Sequence, residues 1–196
     1  MQVRIASAGF ALVWAMIAIG ILPGPTVTTS TTTTPTLVAM TVSYSAVGGG
    51  SPTAPVFHYV LNGVSKSLTL TKVAKSVSVD AGTTWYVTPN PLIGSSSSQQ
   101  WYSTQALTGT ASATNIQFLF QHQYYLTMNV SHTGAGTVTP NSGWYSAGQK
   151  VAITAKANSG HNFKSWTGTG TGSFTGTSAS HTITMNSAIT ETANFT

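Results

Sequence analysis

From residue 37 onward, short β-branched and aromatic runs alternate with clusters of Gly, Ser, Asn and Pro, the punctuation of a β-protein. The pattern predicts strands at 37–45, 55–61, 65–71, 74–79, 83–88, 101–108 and 114–121. A second set follows at 124–130, 135–139, 150–157, 161–167, 180–185 and 189–195. Strands at this spacing favour sandwiches or small barrels over any α/β arrangement. Asn62-Gly63, between two β runs, is a hairpin signal because both residues tolerate positive φ. Asp80-Ala81-Gly82 reads as a turn, which gives Asp80 turn chemistry rather than catalysis.

A boundary near His122 divides the pattern. The expected fold is all-β: an immunoglobulin-like β-sandwich at 51–121, then a small β-repeat module at 122–196, with an N-terminal extended tail strand. Core candidates of the sandwich are Val56, Tyr59, Leu61, Leu68, Leu70, Val77, Val79, Trp85, Val87, Trp101, Phe118 and Phe120.

The second half carries an ordered series of phrases. Gly134-Ala135-Gly136-Thr137-Val138-Thr139-Pro140 leads to Gly143-Trp144-Tyr145-Ser146-Ala147-Gly148. Val151-Ala152-Ile153-Thr154-Ala155, Ser159-Gly160-His161-Asn162-Phe163 and Trp166-Thr167-Gly168 follow. Ile183-Thr184-Met185-Asn186 and Thr192-Ala193-Asn194-Phe195 close it. The series resembles the divergent internalin-type B-repeat, a small β-module of surface proteins. That resemblance implies a stalk or adhesion element without catalysis. The glycines fit tight turns, and Val151, Ile153 and Ala155 alternate toward one buried face.

The N-terminus has its own character. Arg4 precedes an uncharged apolar stretch, Ile5 to Leu22, ended by Pro23-Gly24-Pro25. Residues 1–22 read as a signal peptide, or as an uncleaved membrane anchor, since the stretch is at the lower limit for a span. Membrane contact is expected only through residues 5–22, if they are kept. Residues 23–36, PGPTVTTSTTTTPT, form a Thr/Pro tract that behaves as an extended stalk open to O-linked sugars.

Within the tail at 23–50, Leu37 to Tyr44 reads LVAMTVSY, with Val38, Met40, Val42 and Tyr44 on one face. The Thr tract lies upstream and Gly48-Gly49-Gly50 downstream. Such a strand either pairs at home as the first strand or fills a groove in a neighbouring copy. An N-terminal strand on a tail, followed by Thr- and Ser-rich β-domains, resembles the subunit of the archaeal thread filament of Sulfolobus-type cells. The phrases Gln100-Trp101-Tyr102, His122-Gln123-Tyr124-Tyr125-Leu126-Thr127 and Ser142-Gly143-Trp144-Tyr145 are similar to those of secreted thermoacidophile proteins. The filament resemblance implies a homopolymer joined head to tail by Leu37, Val38, Met40, Val42 and Tyr44 as donor strand, serving adhesion or biofilm formation. The alternative is a monomeric cell-surface or S-layer-associated stalk.

Composition narrows the chemistry. Only 5% of the 196 residues are charged, against about 25% ordinarily. Asp80 and Glu191 are the sole acids, so the net charge of +5 reflects missing acids rather than a basic patch. With Arg4 the single arginine, no nucleic-acid partner is expected. Hydroxyls and amides do not titrate, so this surface suits an acidic habitat. The absence of cysteine excludes disulfides and thiolate sites.

A catalytic triad or carboxylate pair would have to draw on Asp80 or Glu191. His58, His122, His132, His161 and His181 show no ligand spacing. No enzyme, metal or cofactor is therefore expected. Two sequons, at Asn129 and Asn194, are candidate glycosylation sites. Glu191 shares the parity of Ile189, Ala193 and Phe195, so it should point inward, either protonated or paired with a lysine. A sharper form of that pairing is a Lys–Asn isopeptide bond assisted by Glu191.

Overall fold

A computed structural model describes residues 34–196; the expected signal peptide or anchor at 1–22 and most of the Thr tract lie outside the described residues. Fourteen strands form the described unit, with no helix among them. They are β1 (Leu37–Val47), β2 (Val56–Leu61), β3 (Val64–Thr69), β4 (Lys75–Asp80), β5 (Thr84–Thr88), β6 (Gln99–Tyr102) and β7 (Thr108–Thr110). The others are β8 (Thr114–Val130), β9 (Gly136–Thr139), β10 (Gly143–Ser146), β11 (Lys150–Ala157), β12 (Phe163–Thr169), β13 (Ser180–Thr184) and β14 (Ile189–Phe195).

The organising strand is β8. The sequence predicts two strands, at 114–121 and 124–130, but the chain runs straight through as one. Its even-numbered residues all face inward, and no bulge interrupts that parity. Phe118 and Phe120 enter one buried cluster, and Leu126 and Met128 enter another. β1 and β14 both lie parallel to β8, beside Thr114–Gln121 and Leu126–Val130 respectively. β6 and β10 pair antiparallel with its middle. β4 and β12 complete this seven-stranded sheet.

Two smaller sheets cover the inner face, giving a sandwich followed by a repeat module. The four-stranded sheet β3-β2-β5-β7 supplies Phe57, Trp85 and Val87 to the first core, where Phe57, Trp85 and Phe118 lie with ring centroids 5.7–6.4 Å apart. The three-stranded sheet β13-β11-β9 supplies Val151, Ile153, Ala155 and Ile183 against Trp166, Ile189 and Phe195.

Most expected core residues are buried or packed against the core, with a correction in β2. Phe57 is the fully buried residue there, whereas Val56 has the opposite parity and faces away. The expected strand at 101–108 is broken into β6 and β7. The main chain of Gln105 joins no ladder in that gap, its N–H donating to Ser103 Oγ (3.2 Å). Its side-chain amide instead accepts from Leu119 N–H (2.5 Å) and donates to Gln117 O (3.4 Å), guarding the open edge of β8. The alternation of Gly143–Ser146 is too short to read, and β10 was not expected from the pattern.

Because one strand feeds both cores, damage to either should be felt by the whole unit. Phe120→Ala and Leu126→Ala should each cost about 2–5 kcal/mol, and each should shift one common calorimetric transition. Two transitions, with only one moving per variant, would refute mechanical coupling through β8.

Candidate polymerisation strand and its hinge

In the single chain the proposed donor strand is no free tail. β1 sits between β8 and β4, parallel to the first and antiparallel to the second. Met40, Val42 and Tyr44 are buried in the first core, Val38 packs against it, and Leu37 is 47% exposed at the strand's start. The alternating face thus performs its expected packing role, but at home. Fully burying side chains of this kind is worth about 1.5–3 kcal/mol each. Three of them therefore contribute roughly 5–8 kcal/mol, comparable to the whole stability of a small domain. Without a strand in this place, the first sandwich has no complete core.

The glycine joint after β1 is held rather than loose. Gly48, Gly49 and Gly50 have φ of 88°, 86° and 76°, a left-handed run that other residues adopt only at a cost. Trp101 Nε1–H donates to Gly49 O (3.0 Å), and His122 Nδ1–H donates to Gly48 O (3.0 Å). A Cβ on Gly50 would lie 2.3 Å from the Trp101 indole. Trp101 and His122 stack at 4.2 Å, and His122 Nε2 lies 3.3 Å from the Gln99 side chain. Buried His122 occupies the inward parity of β8 between Phe120 and Leu126, so one side chain ties the hinge to the junction of the two cores. Sequence spacing gave His122 no role, because its partners are carbonyls far away along the chain.

The two acids have structural partners. Asp80 ends β4, and its carboxylate accepts from Asn62 N–H (2.8 Å) and Gly63 N–H (2.7 Å). It therefore caps the Asn62-Gly63 hairpin of the facing sheet as well as opening its own turn, where its carbonyl accepts from Thr83. Glu191 is fully buried on β14, between Met128 and Gly168 in the sheet register. One oxygen accepts from Phe174 N–H (2.7 Å), and the other has no partner. Lys66, Lys72, Lys75, Lys150, Lys156 and Lys164 are all exposed. The expected lysine partner is therefore missing among the described residues, and so is the buried lysine an isopeptide bond would need.

The sequons differ. Asn129 is exposed on the outer face of β8. Asn194 is half-buried, and its Nδ2 donates to Thr167 Oγ1 (2.9 Å) and Ser165 Oγ (3.3 Å). Among the described residues, no group of three or more His, Asp or Glu side chains could hold a metal ion. Nor is any helix long and apolar enough to cross a membrane.

Leu126 to Thr196, the C-terminal end of β8 through β14, is built on the ordered glycine and tryptophan phrases that the sequence singles out. Residues 126–196 match the family model of the divergent InlB B-repeat domain. This B-repeat module coincides with the second buried cluster, from Leu126 to Phe195. No curated protein matches the chain. The match supports a β-rich protein associated with the cell surface.

Within the B-repeat module, Glu191 sets a pH dependence. Burial pushes its pKa above the ordinary 4.5, and the Phe174 N–H opposes this in part. The folded state therefore holds the proton more tightly than the unfolded chain. That contribution is full below the unfolded value and is lost as pH rises through the folded one. Urea unfolding should show stability falling over that interval, with Glu191→Gln removing the fall. An equal fall in the variant would contradict the assignment.

Proposed function

We propose that this chain is a non-enzymatic structural subunit of an extracellular filament, polymerised head to tail by exchange of β1, and serving adhesion or biofilm formation. The observation that carries the reading is the seating of Met40, Val42 and Tyr44 in the first core, on a strand whose chain connection to β2 begins with the left-handed Gly48-Gly49-Gly50. A second copy of the chain can supply the same side chains and the same two ladders, so exchange adds no new contact chemistry. The gain from burying β1 is then the same in cis and in trans. Hinge extension and the high effective concentration of the tethered strand decide between them. Trp101 and His122, which grip the hinge carbonyls, favour the closed form.

A second reading has its own support. β1 pairs with β4 and β8 of its own chain, which favours a monomeric cell-surface or S-layer-associated stalk. In both readings Asn129 is the sequon open to an N-linked glycan, since its side chain already faces solvent. Asn194 would first have to give up two hydrogen bonds inside the sheet.

The chain has no cysteine, which makes a clean crosslinking test possible. Ser45 and Leu119 are register partners across β1 and β8, near enough for a disulfide if both are cysteine. Ser45→Cys and Leu119→Cys chains, each with a single thiol, made separately and assembled together on cells, should form covalent dimers, and the double variant should form covalent ladders, both dissolved by reduction. If the double variant forms only an intrachain bond and the mixed singles stay uncrosslinked, the strand works at home and the stalk reading stands. Mass spectrometry of the same preparation should find the Asn129 peptide glycosylated and the Asn194 peptide bare.

A further inference from the structure

The outer face of the seven-stranded sheet has a composition that packing does not explain. Even residues of β8 feed the cores, so odd residues point outward. Register places Trp144 of β10 beside Tyr125, and Gln100 of β6 beside Gln123. Trp144 and Tyr125 meet edge to face at 5.1 Å, and neither belongs to a core cluster. Gln100 Nε2 donates to Gln123 Oε1 at 2.8 Å. Tyr102, opposite Gln121, is 38% exposed. These five side chains run diagonally across β6, β8 and β10, with Tyr102 and Trp144 at the ends and the two amides and Tyr125 between. Tyr102 and Trp144 are four positions apart along β8, about 13 Å at the usual strand rise.

Charge decides what such a strip can bind. None of the residues of β6, β8 or β10 is Asp, Glu, Lys or Arg, and their one histidine, His122, is turned inward. A phosphate, an acidic peptide or an anionic membrane would find no counter-charge there. An extended chain of neutral sugar rings fits better. Its C–H faces lie favourably on the electron-rich faces of indole and phenol rings. Its hydroxyls donate to and accept from primary amides, which offer both functions. The linked pair of glutamines uses one of its four side-chain N–H donors and leaves the other three, with further oxygen lone pairs, for that purpose.

We infer that the strip Tyr102–Gln100–Gln123–Tyr125–Trp144 is a binding surface for a neutral polysaccharide, such as one on a neighbouring cell or in a matrix. The occupant is external to the chain, and the inference holds whether the protein is a filament subunit or a stalk.

Nuclear magnetic resonance titration of the purified chain with maltohexaose, cellohexaose and mannohexaose tests this directly. At least one should shift the Trp144 indole signal saturably. The shift should persist when salt is raised from about 0.05 to about 0.5 M, because no ion pair is involved. Trp144→Ala should weaken binding at least about tenfold, as should Gln123→Ala to a lesser degree. Tyr86→Ala, on the other sheet and 46% exposed, should leave it unchanged. Circular dichroism establishes that each variant is folded. No shift with any of the three sugars at about 10 mM would overturn the inference, as would equal binding by Trp144→Ala. Loss of self-association in Trp144→Ala without sugar binding would assign the face to contacts between copies, and would also overturn it.

Discussion

Everything in this molecule hangs on the inward parity of one strand. A strand alternates its side chains with period two, so β8 can serve two cores only while no residue is inserted or bulged between Phe118 and Met128. A one-residue slip would turn Phe118, Phe120, His122, Leu126 and Met128 outward together. The parallel partners β1 and β14 hold that parity from either end. Stability and the relation between the two cores are thus one problem, solved by one strand.

The same constraint gives β1 its weight. It lies beside the half of β8 that faces the first core, and its buried side chains contribute about as much as the net stability of a small domain. Such a strand is required somewhere in every folded copy, yet its covalent link to β2 opens with three left-handed glycines. His122 belongs to the parity row of β8 and also holds Gly48, so the joint is coupled to the junction of the cores. Strand exchange and home pairing differ only in the path of that joint.

Much of the fold was legible in the sequence because alternation, turn residues and B-repeat phrases are local signals. The strands at Val151, Ile153 and Ala155 and the hairpin at Asn62-Gly63 needed nothing more. The fusion of two expected strands into β8 was not legible. Polar Gln121, His122 and Gln123 look like a connection, and the Trp101 stack, the Gly48 carbonyl and the Gln99 side-chain oxygen make the buried histidine tolerable. β1 was readable as an alternating segment, whereas its partners were not, because pairing depends on residues 33 to 74 positions away. Inward Glu191 was expected from parity, but its partner, the Phe174 amide, comes from a glycine-rich loop with no pattern of its own.

The central claim is that β1 completes the first core as a separable element. Deleting residues 34–47 and then adding a synthetic peptide of residues 36–47 tests it most directly, with cooperative unfolding as the readout. The account predicts that the truncated chain loses its cooperative transition and binds a hydrophobic dye, and that the peptide restores the transition in proportion to its concentration. A truncated chain that unfolds cooperatively at unchanged stability, indifferent to the peptide, would contradict it.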